Sequence, residues 1–504
     1  MQHDHQNIVS LTRTRLLAKN TIYNLIGQIA PLLSALIAIP VLVRHLGVER
    51  FGLLGISWIV LGYFGLFDFG MGRVMTKMIA EKLGTQQKEE IAPIIWTGLA
   101  AMLLIGLATM ILFYILSPTI VRAIKIPQSL FAESYRSFFI LASIIPIVMS
   151  TAGLRAILEA YQMFGNVTLI QAIHGVLFYL APLAVLPFSP YLPSIIFVLA
   201  GVRLGIFVLY IHVCWRHVTP MQSRPAFQKI LLKPMLKFGS WISVSNIIGP
   251  VMVYFDRFFI SVTLSVTAVA YYITPHEVIS KATMITNAVV RVLFPAFSLS
   301  IGAEPQRAAL IFSRGIRLLV FLFVPITLTV ILFARWGITT WLGPEFADQG
   351  APVLQWLAIG VMINAPARVA FALIQAAGRP DITAKIHMIE TPLYIILLYL
   401  SVSQFGIVGA ALAWTVRMFA DAVLLIMYAL KLLCHVVYFF RTTILFSVCL
   451  LAFGCLILFD EHFNSLLLYI LFLISLMPAL WFLLIQETER RSLLAFVGRW
   501  SERV

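Results

Sequence analysis

Apolar residues gather along this chain into continuous blocks of roughly twenty, divided by short polar stretches. Polar residues do not alternate with apolar ones at period two, which excludes a membrane barrel of strands. The pattern predicts an all-α, polytopic membrane protein with about 14 transmembrane helices. The expected spans are 21–43, 51–70, 92–116, 138–160, 167–187, 191–213, 238–262, 268–296, 316–336, 350–374, 386–404, 405–433, 442–460 and 465–486. Prolines inside them, such as Pro31, Pro146, Pro250 and Pro392, are compatible with a bilayer. Neighbouring helices or a cavity there satisfy the carbonyls a proline frees.

The blocks repeat. RAILEAYQMFGNVTLIQAIH from Arg155 and RVAFALIQAAGRPDITAKIH from Arg368 share Arg155/Arg368, Gln162/Gln375, Gly165/Gly378 and His174/His387 at an offset of 213. Six spans per half is an even number, so the two six-helix lobes are expected to be parallel, bracketing a central cavity. The domain plan is an N-terminal lobe over 1–213, a basic cytoplasmic linker over 214–237, a C-terminal lobe over 238–433 and an extra helix pair with a tail over 434–504.

Composition excludes the soluble classes. Hydrophobic residues make up 61% and charged ones 11% of 504, with a mean hydropathy of +0.96. No globular core hides that much apolar surface. The net charge of +15 does not call for nucleic acid, because the basic residues sit mostly in loops. External loops hold six (Arg44, Arg50, Arg122, Lys125, Arg136 and Arg335), and most of the rest fall on the opposite side. That asymmetry places both termini in the cytoplasm. The four cysteines have neither metal nor disulfide-framework spacing, and no cleavable leader precedes the first span.

Charges inside spans are the candidate chemistry, because each costs about 2.5–3.5 kcal/mol at a helix centre and so faces a cavity or a partner. The basic set is Arg203, Arg257, Lys281, Arg291, Arg368 and Arg417, with Arg155 able to snorkel. The pairing or coupling set is Asp68, Asp256, Glu277, His174, His387, Glu390 and Asp421. In the eighth span Glu277, Lys281, Met284, Ala288 and Arg291 fall on one helical face. That face lines a wet cavity or glues helices through ion pairs, Glu277–Lys281 first among them. Asp256-Arg257 fits an interfacial pair, and Asp68 fits a helix-end cap or a partner for Arg73. The chain carries no P-loop, no HExxH motif and no large external loop, and no cofactor is expected. An excess of buried cations suits an anionic group such as phosphate or pyrophosphate.

One stretch is distinctive: IPVLVRHLGVERFGLLGISWIVLGYFGLFDFGMGRVMTKMIAEKLG. Together with YYITPHEVISKATMITNAVVRVLFPAFS, AAGRPDITAKIHMIETPLYIILLYL and FGIVGAALAWTVRMFADAVLL, it resembles the Wzx-type oligosaccharide flippases. These belong to the multidrug/oligosaccharidyl-lipid/polysaccharide exporter superfamily, and the similarity covers roughly 15–435. The resemblance implies a non-enzymatic flippase in the bacterial inner membrane. Its expected substrate is an undecaprenyl-pyrophosphate-linked oligosaccharide, moved from the cytoplasmic to the periplasmic leaflet for O-antigen, capsule or exopolysaccharide assembly. It further implies alternating access, H⁺ or Na⁺ coupling, and a polysaccharide polymerase and chain-length regulator as partners. Many members have twelve spans, so the last pair departs from that pattern, while lipid II flippases carry one. The rivals are a cation-coupled drug antiporter, which wants an acidic aromatic pocket, and a polymerase-type membrane enzyme, which wants a large external loop.

Overall fold

The computed structural model describes residues 2–64, 70–223, 227–233, 254–301 and 304–433 in continuous runs, with isolated positions beyond them and side chains from residue 29 onward. Asp68, most of the expected seventh span and the final helix pair lie outside the described residues.

Among the described residues the chain is all-helical. Its helices are α1 (Gln2–Phe64), α2 (Met71–Gly84), α3 (Ile91–Ala123), α4 (Phe131–Ala160), α5 (Phe164–Val185), α6 (Leu192–His217), α7 (Val266–Ser280), α8 (Thr283–Ser300), α9 (Pro305–Leu342), α10 (Pro344–Ala376) and α11 (Pro380–Leu433). A further helical stretch covers 254–263. Nine of the described helical segments are long and apolar enough to cross a membrane. Two of them are longer than a bilayer needs because each joins two expected spans. In α1 the join is Gly47 (φ 77°, ψ 162°) and in α11 it is Gly406 (φ 57°, ψ −135°). Only glycine holds these conformations without strain, so a single residue does the work of a loop.

The eighth span departs from the single helix expected over 268–296. It breaks at Lys281–Ala282, where the amides of Lys281, Ala282, Met284 and Ile285 bond three residues back instead of four. Ser280 Oγ donates to the Glu277 carbonyl and Thr283 Oγ1 to the Ser280 carbonyl. These hydroxyls compete with backbone donors for carbonyls, which favours a break at this point. The continuous charged face drawn on an unbroken helix is therefore interrupted between Lys281 and Met284.

Contacts divide the chain into two compact units, Met1–Ala270 and Tyr271–Val504. In the first, α4 lies centrally, packing on α3, α2 and α6. Met75, Ile79, Ile95, Met102, Leu154, Ile157 and Cys214 form its core. In the second, α10 lies between α9 and α11. These two central helices are the most buried of the nine, and they begin at Phe131 and Pro344, 213 residues apart. Helix α10 runs further before its turn, so the left-handed turn residue is Gln162 in one unit and Gly378 in the other. Elsewhere apolar side chains such as Ile115, Phe197 and Leu393 lie exposed, as lipid-facing residues do.

Candidate functional site

Each unit gathers polar side chains into an apolar bundle. In the first unit His174 and Phe178 sit one turn apart on α5, and Arg203 comes from α6. The guanidinium lies over the Phe178 ring, 5.9 Å from its centre, and Nη2 donates to the Leu61 carbonyl at 3.4 Å. Trp58, from α1, completes the cluster at 5.5 Å from Phe178 and 5.4 Å from Tyr179. His174 lies 5.8 Å from Phe178. Among the described residues three buried nitrogens here meet no acceptor or donor: Trp58 Nε1, His174 Nε2 and Arg203 Nε. Leaving a buried donor unsatisfied costs about 1–3 kcal/mol, so such a set marks a place where another group belongs.

In the second unit the seam lies between the two halves of α11. His387, Glu390 and Tyr394 follow i, i+3, i+7 on one half, while Arg417 and Asp421 follow i, i+4 on the other. His387 Nε2 lies 3.4 Å from Asp421 Oδ1, and its ring stacks on Phe371 of α10 at 6.2 Å. The ligand atoms of His387, Glu390 and Asp421 all fall within 4.8 Å of one another. The Arg417 guanidinium lies over the Tyr394 ring at 5.2 Å, one turn away on both halves. Glu390 is 4% exposed, and among the described residues neither of its oxygens meets a donor. A bare carboxylate in that position is costly, so the seam calls for a cation or a proton.

The remaining sequence candidates separate. Lys281 pairs with Glu277 at 3.3 Å, the ion pair their spacing suggested. Arg291 and Arg368 are exposed. Arg155 pairs with Glu159 at 3.4 Å. Asp256 and Arg257 lie 3.9 Å apart and are buried, at 0% and 1% exposure. Arg257 lies over Tyr254 at 5.0 Å, and its amide donates to Asp256 Oδ1. Sequence reasoning missed the aromatic partners Trp58, Phe178, Tyr179 and Tyr394. The i, i+4 pairs Glu390/Tyr394 and Arg417/Asp421 were a signal for the second cluster. Nothing in sequence spacing joins Trp58 to Arg203.

Apolar helices of spanning length, arranged in two units that each bury a cation beside aromatic rings, define a polytopic membrane transporter. Comparison with known proteins names its family. A family model described as "Polysaccharide biosynthesis protein" matches residues 17–300, more than half of the chain. A Shigella flexneri protein named "Putative O-antigen transporter" is 32% identical over 420 residues, covering 81% of this chain and 96% of that protein. The chain belongs to the polysaccharide biosynthesis family, whose named relative is a transporter rather than an enzyme. Solved structures agree on the fold. An inward-facing multidrug resistance MATE family transporter of the MOP superfamily aligns with a TM-score of 0.69 at 14% identity, over 82% of this chain and 94% of that one. The lipid II flippase MurJ, inward closed, aligns with a TM-score of 0.67 at 14% identity, over 92% and 98%.

Proposed function

We propose that the protein is an inner-membrane flippase that carries a polyprenyl-pyrophosphate-linked oligosaccharide from the cytoplasmic to the periplasmic leaflet. The observation that carries the reading is the recurrence of one device in both units. Arg203 and Arg417, 214 residues apart, each lie over an aromatic ring with Nε unsatisfied. A guanidinium whose Nε is unsatisfied suits a phosphate oxygen, which accepts in the plane of the fork. The name of the Shigella relative supports an O-antigen repeat unit as cargo. The polyprenyl tail stays in lipid while the units alternate access. Lys281 and Arg291 are the next cations to test.

The His387–Glu390–Asp421 seam is the proposed coupling site for H⁺ or Na⁺. A carboxylate without a hydrogen-bond partner takes up a cation and is neutralised by it. The loop charges support cytoplasmic termini, and a polysaccharide polymerase and a chain-length regulator would receive the product.

The test is deletion of the gene in its host, with lipid-linked oligosaccharide measured in each leaflet beside surface glycan. Complete repeat units stranded on the cytoplasmic leaflet, with surface glycan lost, are expected. Normal glycan with raised sensitivity to cationic drugs identifies an antiporter instead. Unpolymerised glycan already on the outer leaflet identifies an enzyme.

A further inference from the structure

Where α4 and α6 begin and α5 ends, the first unit carries a groove of about 790 Å³. This lies within the 300–1,000 Å³ range typical of ligand sites. Its walls are Tyr135, Phe139, Ile140, Val185, Phe197 and Val198. Phe139 stacks on Tyr114 at 4.2 Å in one wall, and Phe197 on the other side is 69% exposed. On a helix bundle in a bilayer, exposed apolar residues only mean contact with lipid. Here two further features single out the place: the surface is concave, and a charge stands on its rim.

That charge is Arg136, in the second turn of α4. Its Nη1 donates to the Tyr191 hydroxyl at 3.4 Å, and no carboxylate pairs with it among the described residues. The nearest acid in sequence is already engaged. Glu133 accepts from Arg50 Nη2 at 2.7 Å, from Arg50 Nε at 3.0 Å and from the Leu192 amide at 3.3 Å. The groove therefore ends in a guanidinium that no carboxylate pairs with among the described residues.

We infer that this groove is a binding site for one anionic phospholipid, its chain lying along the aromatic wall and its phosphate on Arg136. The charge pattern selects the headgroup. A zwitterionic ethanolamine lipid would bring an ammonium toward a rim that has no free carboxylate. A pyrophosphate would want more than the one unpaired cation the rim offers. A single phosphodiester matches one guanidinium, with the Tyr191 hydroxyl as a second hydrogen-bonding group. The site does not depend on what the transporter carries, so it stands or falls apart from the function proposed above.

Native mass spectrometry tests it on the full chain, released from vesicles of equimolar phosphatidylglycerol and phosphatidylethanolamine. The wild type is expected to keep one phosphatidylglycerol in several-fold excess over phosphatidylethanolamine. Arg136→Gln should bring that ratio close to one, and Arg136→Lys should restore part of it. Val198→Trp, which fills the groove, should lower retention of both lipids. Arg136 is exposed, so these variants should unfold at the wild-type temperature, which is measured alongside. No preference in the wild type, or a preference that survives Arg136→Gln, overturns the inference. So does displacement of phosphatidylglycerol by an equal amount of undecaprenyl phosphate, which assigns the groove to the carrier lipid.

Discussion

The two units share a frame and differ in what they put into it. His174 and His387 stand at the repeat offset, and Arg203 and Arg417 one residue beyond it. In the first unit the frame is filled with aromatics: Trp58, Phe178 and Tyr179 crowd the arginine, and among the described residues no carboxylate enters the cluster. The second adds Glu390 and Asp421 beside its histidine. One cluster can offer donors to an anion and little else. The other can also take up and release a cation. On the function proposed above, the two halves divide binding from energy coupling.

Several substitutions break or sharpen this contrast, here from the largest expected effect to the smallest. Glu390→Gln should reduce transport by about ten-fold or more while protein levels hold, because intramembrane acids are retained for function. Glycan rescue in the deletion strain measures it, with and without an uncoupler. Transport that stays gradient-dependent in Glu390→Gln would remove the coupling role.

The next contrast concerns the helices that lead each unit. Glu133 on α4 is buried and held bidentately by Arg50. Asp348 on α10 meets Arg335 at 2.7 Å, but both are more than half exposed. Arg50→Ala strands a buried carboxylate and should cost about 3 kcal/mol, against less than about 1 kcal/mol for Arg335→Ala. Thermal unfolding in detergent reads both, and equal shifts would contradict the burial argument. Packing gives a third. A methyl at Gly106 would meet the Pro146 backbone at 2.6 Å, whereas at Gly315 it would meet only side chains of Leu293 and Val369. Gly106→Ala should cost about 1–3 kcal/mol and Gly315→Ala less, since backbone cannot yield as side chains do. The smallest effect belongs to Trp58→Phe, which keeps a ring and removes an orphan N–H. Stability should change by no more than about 1 kcal/mol, while flipping falls if that N–H meets the cargo.

Much of this was legible in the sequence. Block length sets the helices, and the repeat foreshadows the equivalence of α4 and α10. The charges named in advance include every arginine, histidine and carboxylate of both clusters. What spacing could not show was company. Glu390 and Asp421 lie 31 residues apart in sequence, and only the fold of α11 at Gly406 brings their helices together. Arg50 read as a loop charge because its partner, Glu133, is 83 residues away. The break at Lys281 escaped the periodicity because hydroxyls, not apolar positions, cause it. The extra helix pair lies outside the described residues, so the count of 14 rests on the sequence alone.

The broken eighth span has a consequence for biosynthesis. Val266–Ser300 is the least apolar of the nine candidate spans, and it carries Glu277, Lys281 and Arg291. Each charge opposes insertion by about 2.5–3.5 kcal/mol, while a leucine favours it by only about 0.3–0.6 kcal/mol. The Glu277–Lys281 pair removes part of that penalty. The helices that its second half packs against, α9 and α10, are synthesised after it. A polar span whose packing partners follow it in the chain meets them only after their own synthesis, so the order in which the ribosome delivers the helices becomes a condition of reaching the fold.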